Sequence, residues 1–466
     1  VRGVKHVILI GEAEEGEAPV ATIGFDALAA KATMASRSEV EARAPKPEDL
    51  AVVVYTSGTT GGAKGVMLSH HNLVSNALAA VEALQITGRD SSLLVLPMHH
   101  AMPFIAAVVL PPLVGAHFII ENDLRRIRDR LQEHRPTVLF GVPALYEVVY
   151  RNILARAEAE GRLKTLQRLQ RWVGAIKRLT GVNLAPIVFR SIGKALGGRL
   201  RFLISGGAAL NPQTARDFAS LGLPLLQGWG MTEASPVVAV QRFDRRRFRY
   251  THYYEKHAGS VGPPVPGVEI RLVDVPEKGI RVEDGGEGEV LVRGPNVFMG
   301  YWHATAETEA ALQDGWLRTG DLGRVDAEGN IYLTGRSKYV IVLESGEKVH
   351  PDELEELYGQ SDLIADVCIT GRDPPDGRNR TLVTAVIHPD VEAARTRVQP
   401  FDEATLRRVL DGELDRLGKQ LATYKRVTRI ELSTEPLPKT ALQKVARGRI
   451  EANYDFDFEA WEKTTQ

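Results

Sequence analysis

The chain has 466 residues, a quarter of them charged, with a formal net charge of −1. That length allows two or three domains with sizeable cores, and the charge balance does not call for a nucleic-acid partner. Cys368 is the only cysteine, which excludes an internal disulfide framework and fits a reducing cytosol.

Val1 to Ile10 lacks the length and flanks of a signal peptide and reads as an internal strand of an α/β domain. An acidic turn (Glu12 to Glu17), a helical stretch and a proline-containing connector complete residues 1–50. Ala51-Val52-Val53-Val54 is a β-branched run suited to a buried strand. It leads into Tyr55-Thr56-Ser57-Gly58-Thr59-Thr60-Gly61-Gly62-Ala63-Lys64-Gly65. In such a segment glycine-freed N–H groups curl around a polyphosphate, hydroxyls donate to its oxygens, and lysine offsets its charge. Walker A does not fit, because it requires Gly-Lys-Ser/Thr and then a helix, whereas Ala63-Lys64-Gly65 is followed by apolar Val66-Met67-Leu68. A flexible Gly/Thr turn is the plainer alternative.

Ser69 is placed to cap a helix with Val74, Leu78, Val81 and Leu84 as its apolar face. Leu93 to His100 reads as a strand ending in a histidine pair. Pro103 to Ile120 is nearly all apolar, but Pro111-Pro112 and Gly115 break it. It therefore reads as a buried helix and then a strand, short of the roughly 20 apolar residues of a membrane span. Val138 to Gly141 is a further strand, and Pro143 opens a helix containing Leu145, Val148 and Val149. Strands alternating with helices argue for a largely parallel sheet.

No acidic residue occurs between Glu160 and Asp217. Arg162, Lys164, Arg168, Arg171, Lys177, Arg178, Arg190, Lys194, Arg199 and Arg201 accumulate there, around a helical stripe of Leu163, Leu166, Leu169, Val173, Ile176 and Leu179. A helix docked on its own domain with a solvated basic face is the preferred reading. The alternative is a helix on an anionic membrane surface, where each basic group is worth about 1 kcal/mol. A second basic cluster, Arg242, Arg245, Arg246, Arg247 and Arg249 with Phe243, Phe248 and Tyr250, stays open between a solvated loop, a membrane contact and a nucleic-acid contact.

From residue 258 short strands and Gly/Pro turns, including Val268 to Val273 and Gly288 to Arg293, predict a β-rich subdomain. Beyond Gly335-Arg336, a helix at Pro351 to Tyr358, a strand at Leu382 to His388 and an amphipathic helix over 402–420 predict a small α+β domain. The expected division is 1–240, 241–335 and 336–466.

Six stretches, in order, resemble the AMP-forming acyl-CoA synthetase superfamily of adenylate-forming enzymes. The first is the phosphate loop, Tyr55 to Gly65. Ser205-Gly206-Gly207-Ala208-Ala209 follows a strand at Phe202-Leu203-Ile204, and the resemblance sets its bare backbone, at Gly207 and Ala208, against adenine. Gln227-Gly228-Trp229-Gly230-Met231-Thr232-Glu233 resembles the adenine and metal segment. Trp316-Leu317-Arg318-Thr319-Gly320-Asp321 supplies the aspartate expected at the ribose hydroxyls. Gly335-Arg336-Ser337-Lys338 matches the inter-domain hinge, with Arg336 near ribose and phosphate. Pro438-Lys439-Thr440-Ala441-Leu442-Gln443-Lys444 matches the C-terminal lysine motif.

The resemblance implies an α/β large domain with mostly parallel sheets flanked by helices, a β-rich subdomain and a small mobile C-terminal α+β domain. It implies ATP-dependent activation of a carboxylate to an acyl-adenylate and then a thioester with coenzyme A. Cofactor contacts would come from Thr56, Ser57, Gly58, Thr59, Thr60, Lys64, Gly207, Ala208, Gln227, Gly228, Trp229, Thr232, Asp321, Arg336 and Lys338. Mg2+ would sit between Thr56 and Glu233, and catalysis would rest on Lys444, Arg336 and His100. The family usually has glycine before the catalytic lysine and this chain has Gln443, so Lys439 is the fallback.

The segment Pro136 to Glu147, the helical insertion over 150–200, and Trp229 as an aromatic gate resemble the long-chain fatty acyl branch. His100 matches a histidine of the acyl site; a histidine capping a strand end is its plainer role. A cytoplasmic ligase, able to rest on the inner face of a membrane through its basic helix, is the resulting expectation. Transfer to a carrier protein's phosphopantetheine and a non-catalytic member are the alternatives. Members of the family normally carry a large portion ahead of residues like Val1 to Ile10, so a shortened chain is expected.

Overall fold

The computed structural model describes residues 6–9, 21–24, 37–58, 62–98, 100–121, 123–243, 256–374, 381–439, 445–451 and 454–464. The chain divides into two compact units, Val1–Asp49 and Leu50–Gln466. In the first, the expected N-terminal strand is present as His6–Leu9, paired in parallel with Ala21–Gly24, and Arg37–Ala42 is helical. The acidic turn lies outside the described residues, as do Arg245 to Tyr250 of the second basic cluster.

The second unit is built on a six-stranded sheet. Its order is Val237–Val240, Leu225–Gly230, Phe202–Ser205, Val138–Gly141, Ser91–Leu94 and His117–Ile120. All neighbours run parallel except the first pair. The central strands Val138–Gly141 and Phe202–Ser205 are buried throughout, as strands covered on both faces must be. Tyr146 is fully buried. Its hydroxyl lies 2.9 and 2.7 Å from the carbonyls of Leu139 and Ile204, so one proton serves either of two adjacent strands. The strand expected over Leu93 to His100 is set earlier, at Ser91–Leu94. The proline-rich apolar run is a helical stretch over 101–114, with a π-turn at Ile105–Val109, followed by the strand His117–Ile120. Among the described residues, no helix is long and apolar enough to cross a membrane.

Ser69 caps the helix His70–Leu84 in a reciprocal capping box with Asn72. The buried face differs from the expected one. Leu73, Asn76, Ala77, Ala80 and Leu84 face the core, while Val74 and Leu78 are exposed. Hydrogen bonding sets this rotation. Asn72 Nδ2 donates to the carbonyls of Pro295 and Val297 at 2.8 and 2.9 Å. Asn76 exchanges two bonds with the Val237 backbone. Pairing these buried amides, which would otherwise each leave polar atoms unsatisfied, outweighs burial of two aliphatic side chains.

The β-rich part is an antiparallel sheet. Glu269–Val273 pairs Glu287–Arg293, which pairs Trp316–Val325, and Ile331–Arg336 also pairs that long strand. From Ile341 on, a separate core forms around Leu354, Tyr358, Ile369, Leu406, Leu410 and Trp461. It joins the helices Pro351–Tyr358 and Glu403–Gly418 to the sheet of Ile364–Arg372, Leu382–Pro389 and Arg429–Leu432. The lone Cys368 is buried inside this domain. Burial, and then the Glu355 charge, push its thiol up to about 12, so it stays an inert thiol.

Candidate functional site

The phosphate-loop stretch is a β-hairpin. Leu50–Gly58 pairs antiparallel with Gly62–Ser69, bringing Thr56 opposite Lys64, Ser57 opposite Ala63 and Gly58 opposite Gly62. Strand, turn and strand explain the mismatch with Walker A, since a helix begins only at His70. Thr59, Thr60 and Gly61 at the tip lie outside the described residues. Gly65 is fixed by space: a Cβ there would meet Val53 Cγ1 at 2.9 Å and Trp302 Cβ at 3.2 Å.

A third strand, Gly300–Tyr301, completes this small sheet by pairing with Met67 and Val66. Tyr301 therefore projects on the same face as Lys64 and Thr56, because residues two apart on a strand share a face. The Lys64 ammonium stands 5.1 Å from the centre of the Tyr301 ring. The Tyr301 hydroxyl donates to Glu233 Oε1 at 2.8 Å. Burial, reinforced by the Glu233 carboxylate, pushes the phenol up and keeps it a donor. Glu233 is carried on the 3₁₀ turn Thr232–Ala234, which packs against the returning strand of the hairpin. Tyr301 belongs to none of the six stretches. The only sequence signal for it is an aromatic after Gly300, which alone says nothing.

Asp321 forms the second half of the site. It sits directly opposite Arg336 in the sheet. Its Oδ1 accepts from Arg336 Nε at 2.9 Å, and its Oδ2 accepts from the Trp229 indole N–H at 2.9 Å. Trp229, expected as an acyl gate, is thus buried with its polar edge on the aspartate expected to meet ribose. The turn before Asp321 is held equally closely. Thr319 Oγ1 donates to the Val290 carbonyl at 2.6 Å and accepts from the Asp321 N–H at 3.0 Å. Gly320, at φ +69°, adopts a conformation that favours glycine, and its N–H donates to Glu289 at 3.1 Å. Lys64, Tyr301, Arg318, Thr319 and Gly320, with Glu289 and Glu307, line one cleft of about 340 Å³.

The adenine-side stretches flank that half. Ser205 ends its strand fully buried, and Gly207 turns at φ +80°, with Ala208 following. Gln227 is buried, and its N–H donates to the side chain of Gln241 at 3.0 Å; Gly228 lies one residue on in the same strand. Gln241 in turn donates to the carbonyls of His257 and Ser260. His100 stands at the N-cap of the helix Ala101–Phe104, while His99 lies outside the described residues.

The hinge stretch continues from Arg336 into the turn Ser337–Tyr339, with Lys338 exposed. Ser337 Oγ donates to the Gly320 carbonyl at 3.2 Å, tying this stretch to the turn before Asp321. Thr440 to Lys444 lie outside the described residues. Their two ends meet in a bridge between Lys439 and Val445, and the Ala446 N–H donates to the Pro438 carbonyl at 2.7 Å. Lys439 forms a 2.6 Å ion pair with the buried Asp366, which binds it to its own domain's sheet. Three residues past Lys444, Arg447 pairs with Glu355 at 2.6 Å, and its guanidinium lies 4.7 Å from the Tyr339 ring centre. Burial opposes its charge, and Glu355 and Asp352 more than compensate, raising its pKa.

Among the described residues, no three His, Cys, Asp or Glu side chains gather as a metal cage. One carboxylate oriented by the Tyr301 hydroxyl, Glu233, suits Mg2+, which usually takes one or two carboxylates and completes its shell with phosphates and water.

This is the layout of an α/β protein with a separately cored C-terminal domain. The chain belongs to the AMP-binding enzyme family, whose model matches residues 3–302, and the family's C-terminal domain matches residues 338–464. It is 32% identical over 422 residues to human long-chain-fatty-acid–CoA ligase 1, covering 84% of this chain and 57% of that protein. It is 33% identical over 359 residues to the peroxisomal long chain acyl-CoA synthetase 6 of Arabidopsis thaliana, covering 74% and 49%. The chain thus spans about half the length of these curated relatives. Among solved structures, ATP-bound MatB from Rhodopseudomonas palustris is 29% identical with a TM-score of 0.63, covering 96% of this chain and 75% of that one. The o-succinylbenzoate coenzyme A synthetase of Bacillus subtilis, solved with ATP and magnesium, gives a TM-score of 0.69 at 22% identity, covering 96% and 79%. At that identity the likeness speaks to the fold alone.

Proposed function

We propose that the chain is a long-chain fatty acid–CoA ligase working through an acyl-adenylate. The observation that carries this reading is one cleft lined by Lys64 and Tyr301 of the hairpin sheet, by Glu289 and Glu307, and by Thr319-Gly320, the turn that leads into Asp321. It sets a cationic, hydroxyl-bearing side beside the turn that leads into Asp321, a carboxylate suited to ribose. Identity to long-chain ligases over most of the chain supports the choice of acid.

In the first half-reaction a fatty carboxylate oxygen attacks the α-phosphorus of ATP, and the bond to pyrophosphate breaks. Anion approaches anion, so the hairpin from Thr56 through Thr60, with Lys64, grips the leaving phosphates. Asp321 accepts from the ribose hydroxyls, Arg336 reaches ribose and phosphate, and Gly207, Ala208, Gln227 and Gly228 present backbone to adenine. Lys444 contacts the charge developing between carboxylate and α-phosphate. Thr56 and Glu233, with Thr232 beside them, would hold Mg2+, which supplies neutralisation of phosphate charge. His100 lines the acyl side. In the second half-reaction the thiolate of coenzyme A attacks the acyl carbonyl and AMP leaves, after the C-terminal domain rotates about Lys338. The division at 1–240, 241–335 and 336–466 is the working frame for that motion. We place the enzyme in the cytoplasm, with its basic helical segment against the inner face of a membrane.

A chain-length series of acids, scored by thioester formation, tests the reading. Palmitate-length acids are expected to outperform acetate and benzoate, and the reverse order would refute the long-chain assignment. Acyl transfer to carrier-protein phosphopantetheine but not to coenzyme A would change the acceptor. Absence of ATP–pyrophosphate exchange with every acid would mark a non-catalytic member.

A further inference from the structure

At Asp321 the long strand Trp316–Val325 slips register against its neighbour Glu287–Arg293. Leu291 pairs with Arg318 and Glu289 with Leu322, so Thr319, Gly320 and Asp321 together oppose the single residue Val290. The other edge of the strand is irregular at nearly the same level. Its pairing with Ile331–Arg336 shifts between Leu322 and Gly323. Extra residues of this kind interrupt the ladder, bend the strand and re-aim its side chains. Asp321 takes its direction from this bulge, so whatever holds the bulge also aims the carboxylate.

Glu289 holds it from the neighbouring strand. Its carboxylate accepts from the Gly320 N–H at 3.1 Å, inside the bulge, and from the Arg318 guanidinium at its entry. Its backbone stands opposite Leu322, just past the exit. One residue thus spans the whole irregular stretch, and Thr319 Oγ1 fastens the middle to the Val290 carbonyl at 2.6 Å. The ion pair is diagonal, since Leu291 and not Glu289 lies directly opposite Arg318. A surface pair of this sort contributes little, but Glu289 is only 4% exposed. A buried carboxylate keeps its charge only while its partners stay in place. Both Glu289 oxygens are engaged by Arg318 and Gly320, although the residue borders the cleft.

We propose that Glu289 is a positioning residue: by clamping Arg318 and Gly320 it fixes the bulge that aims the Asp321 carboxylate at the ribose hydroxyls of the nucleotide. It acts through Asp321 and not on the ligand. The clamp stands on register, burial and hydrogen bonds; its use rests on the reading of Asp321 as the ribose acceptor.

The test is equilibrium binding of ATP and of 2′-deoxy-ATP to the full chain, followed by calorimetry, which needs no turnover. The unaltered chain is expected to prefer ATP, and Asp321→Asn to erase most of that preference. Glu289→Ala is expected to raise Kd for ATP about tenfold, the equivalent of one hydrogen bond to a charged group. It should raise Kd for 2′-deoxy-ATP less, so that the preference shrinks. Glu289→Gln keeps an acceptor for the Gly320 N–H without the ion pair and should fall between; it carries the same readouts if the alanine variant does not fold. In an Asp321→Asn background, Glu289→Ala should add no more than about twofold, because residues acting as one unit are not additive. Fully additive losses would mean that Glu289 acts apart from Asp321, and would overturn the proposal. So would a purely structural role, which lowers Tm and the fraction of binding-competent protein but leaves Kd and the preference unchanged. If Asp321→Asn leaves the preference intact, the ribose reading fails and the proposal with it. If Asp321→Asn erases it and neither Glu289 variant touches it, the proposal fails alone. Pyrophosphate exchange, measured separately, reads the ligase.

Discussion

Asp321 and the neck at Lys439–Val445 hold their surroundings in opposite ways. At Asp321, both carboxylate oxygens are engaged, the preceding turn is bonded at Thr319 and Gly320, and strand register sets Arg336 opposite. At the neck, one bridge and one backbone bond join the chain on either side of residues 440–444. The first is continuous with the core of the large domain; the second hangs from a domain with its own core. A preorganised corner and a lysine mounted on a separate core are what the proposed two-step reaction would require. On that proposal the nucleotide would stay in place through both half-reactions, while the group used only in the first would have to leave.

The largest break in that comparison is Lys444→Ala. ATP–pyrophosphate exchange is expected to fall at least a hundredfold, as when a preorganised charge-stabilising donor is removed, while thioester formation from supplied acyl-adenylate persists. Equal loss of both would show that Lys444 does not act in the first half-reaction alone. Next, Asp321→Asn leaves an acceptor for Trp229 but removes the Arg336 ion pair and the charged ribose acceptor. Both half-reactions should weaken by about 2 kcal/mol, roughly thirtyfold. Loss confined to one half-reaction would contradict the placement of the corner in both.

Much of this division was legible in the residues. β-Branched runs, proline breaks and Gly-rich turns gave the parallel sheet, the β-rich region and the C-terminal helix at Pro351–Tyr358. What sequence patterning missed were preferences set by distant partners. The face of His70–Leu84 turns on Asn72 and Asn76 meeting backbone more than 150 residues away, and periodicity counts those residues as polar and outward. Tyr301 acquires its place only because a two-residue strand closes on the hairpin. The stripe of Leu163–Thr180 was visible, but the line within it that docks was not, because that depends on Phe189 and Leu221.

Tyr301 gives a finer test of the binding side. Tyr301→Phe keeps the ring under Lys64 and deletes only the donor to Glu233. The Mg2+ concentration for half-maximal pyrophosphate exchange should rise about tenfold, the equivalent of one hydrogen bond to a charged group. The rate at saturating Mg2+ should change little. An unchanged Mg2+ requirement would separate Glu233 from metal binding.

The smallest effect should arise on the other side, in the C-terminal core. Glu413 is buried, and it accepts from Arg416 at 2.9 and 3.0 Å and from Ser361 at 2.9 Å. The Arg416 hydrogen bonds, opposed by burial and aided by Ser361, hold its carboxyl down to about 2 from an ordinary 4.5. The unfolded chain therefore takes up the proton at a pH where the folded domain does not. Stability from this group is complete above pH 4.5 and drains as pH falls towards 2. Glu413→Gln should lower the stability of the C-terminal domain by about 1.5 kcal/mol at neutral pH and flatten its decline across that acid window. Both half-reactions at neutral pH should be unaffected. If they fall with Glu413→Gln while the domain stays folded, the C-terminal core does more than carry the lysine, and the contrast between a rigid corner and a passive mount has to be redrawn.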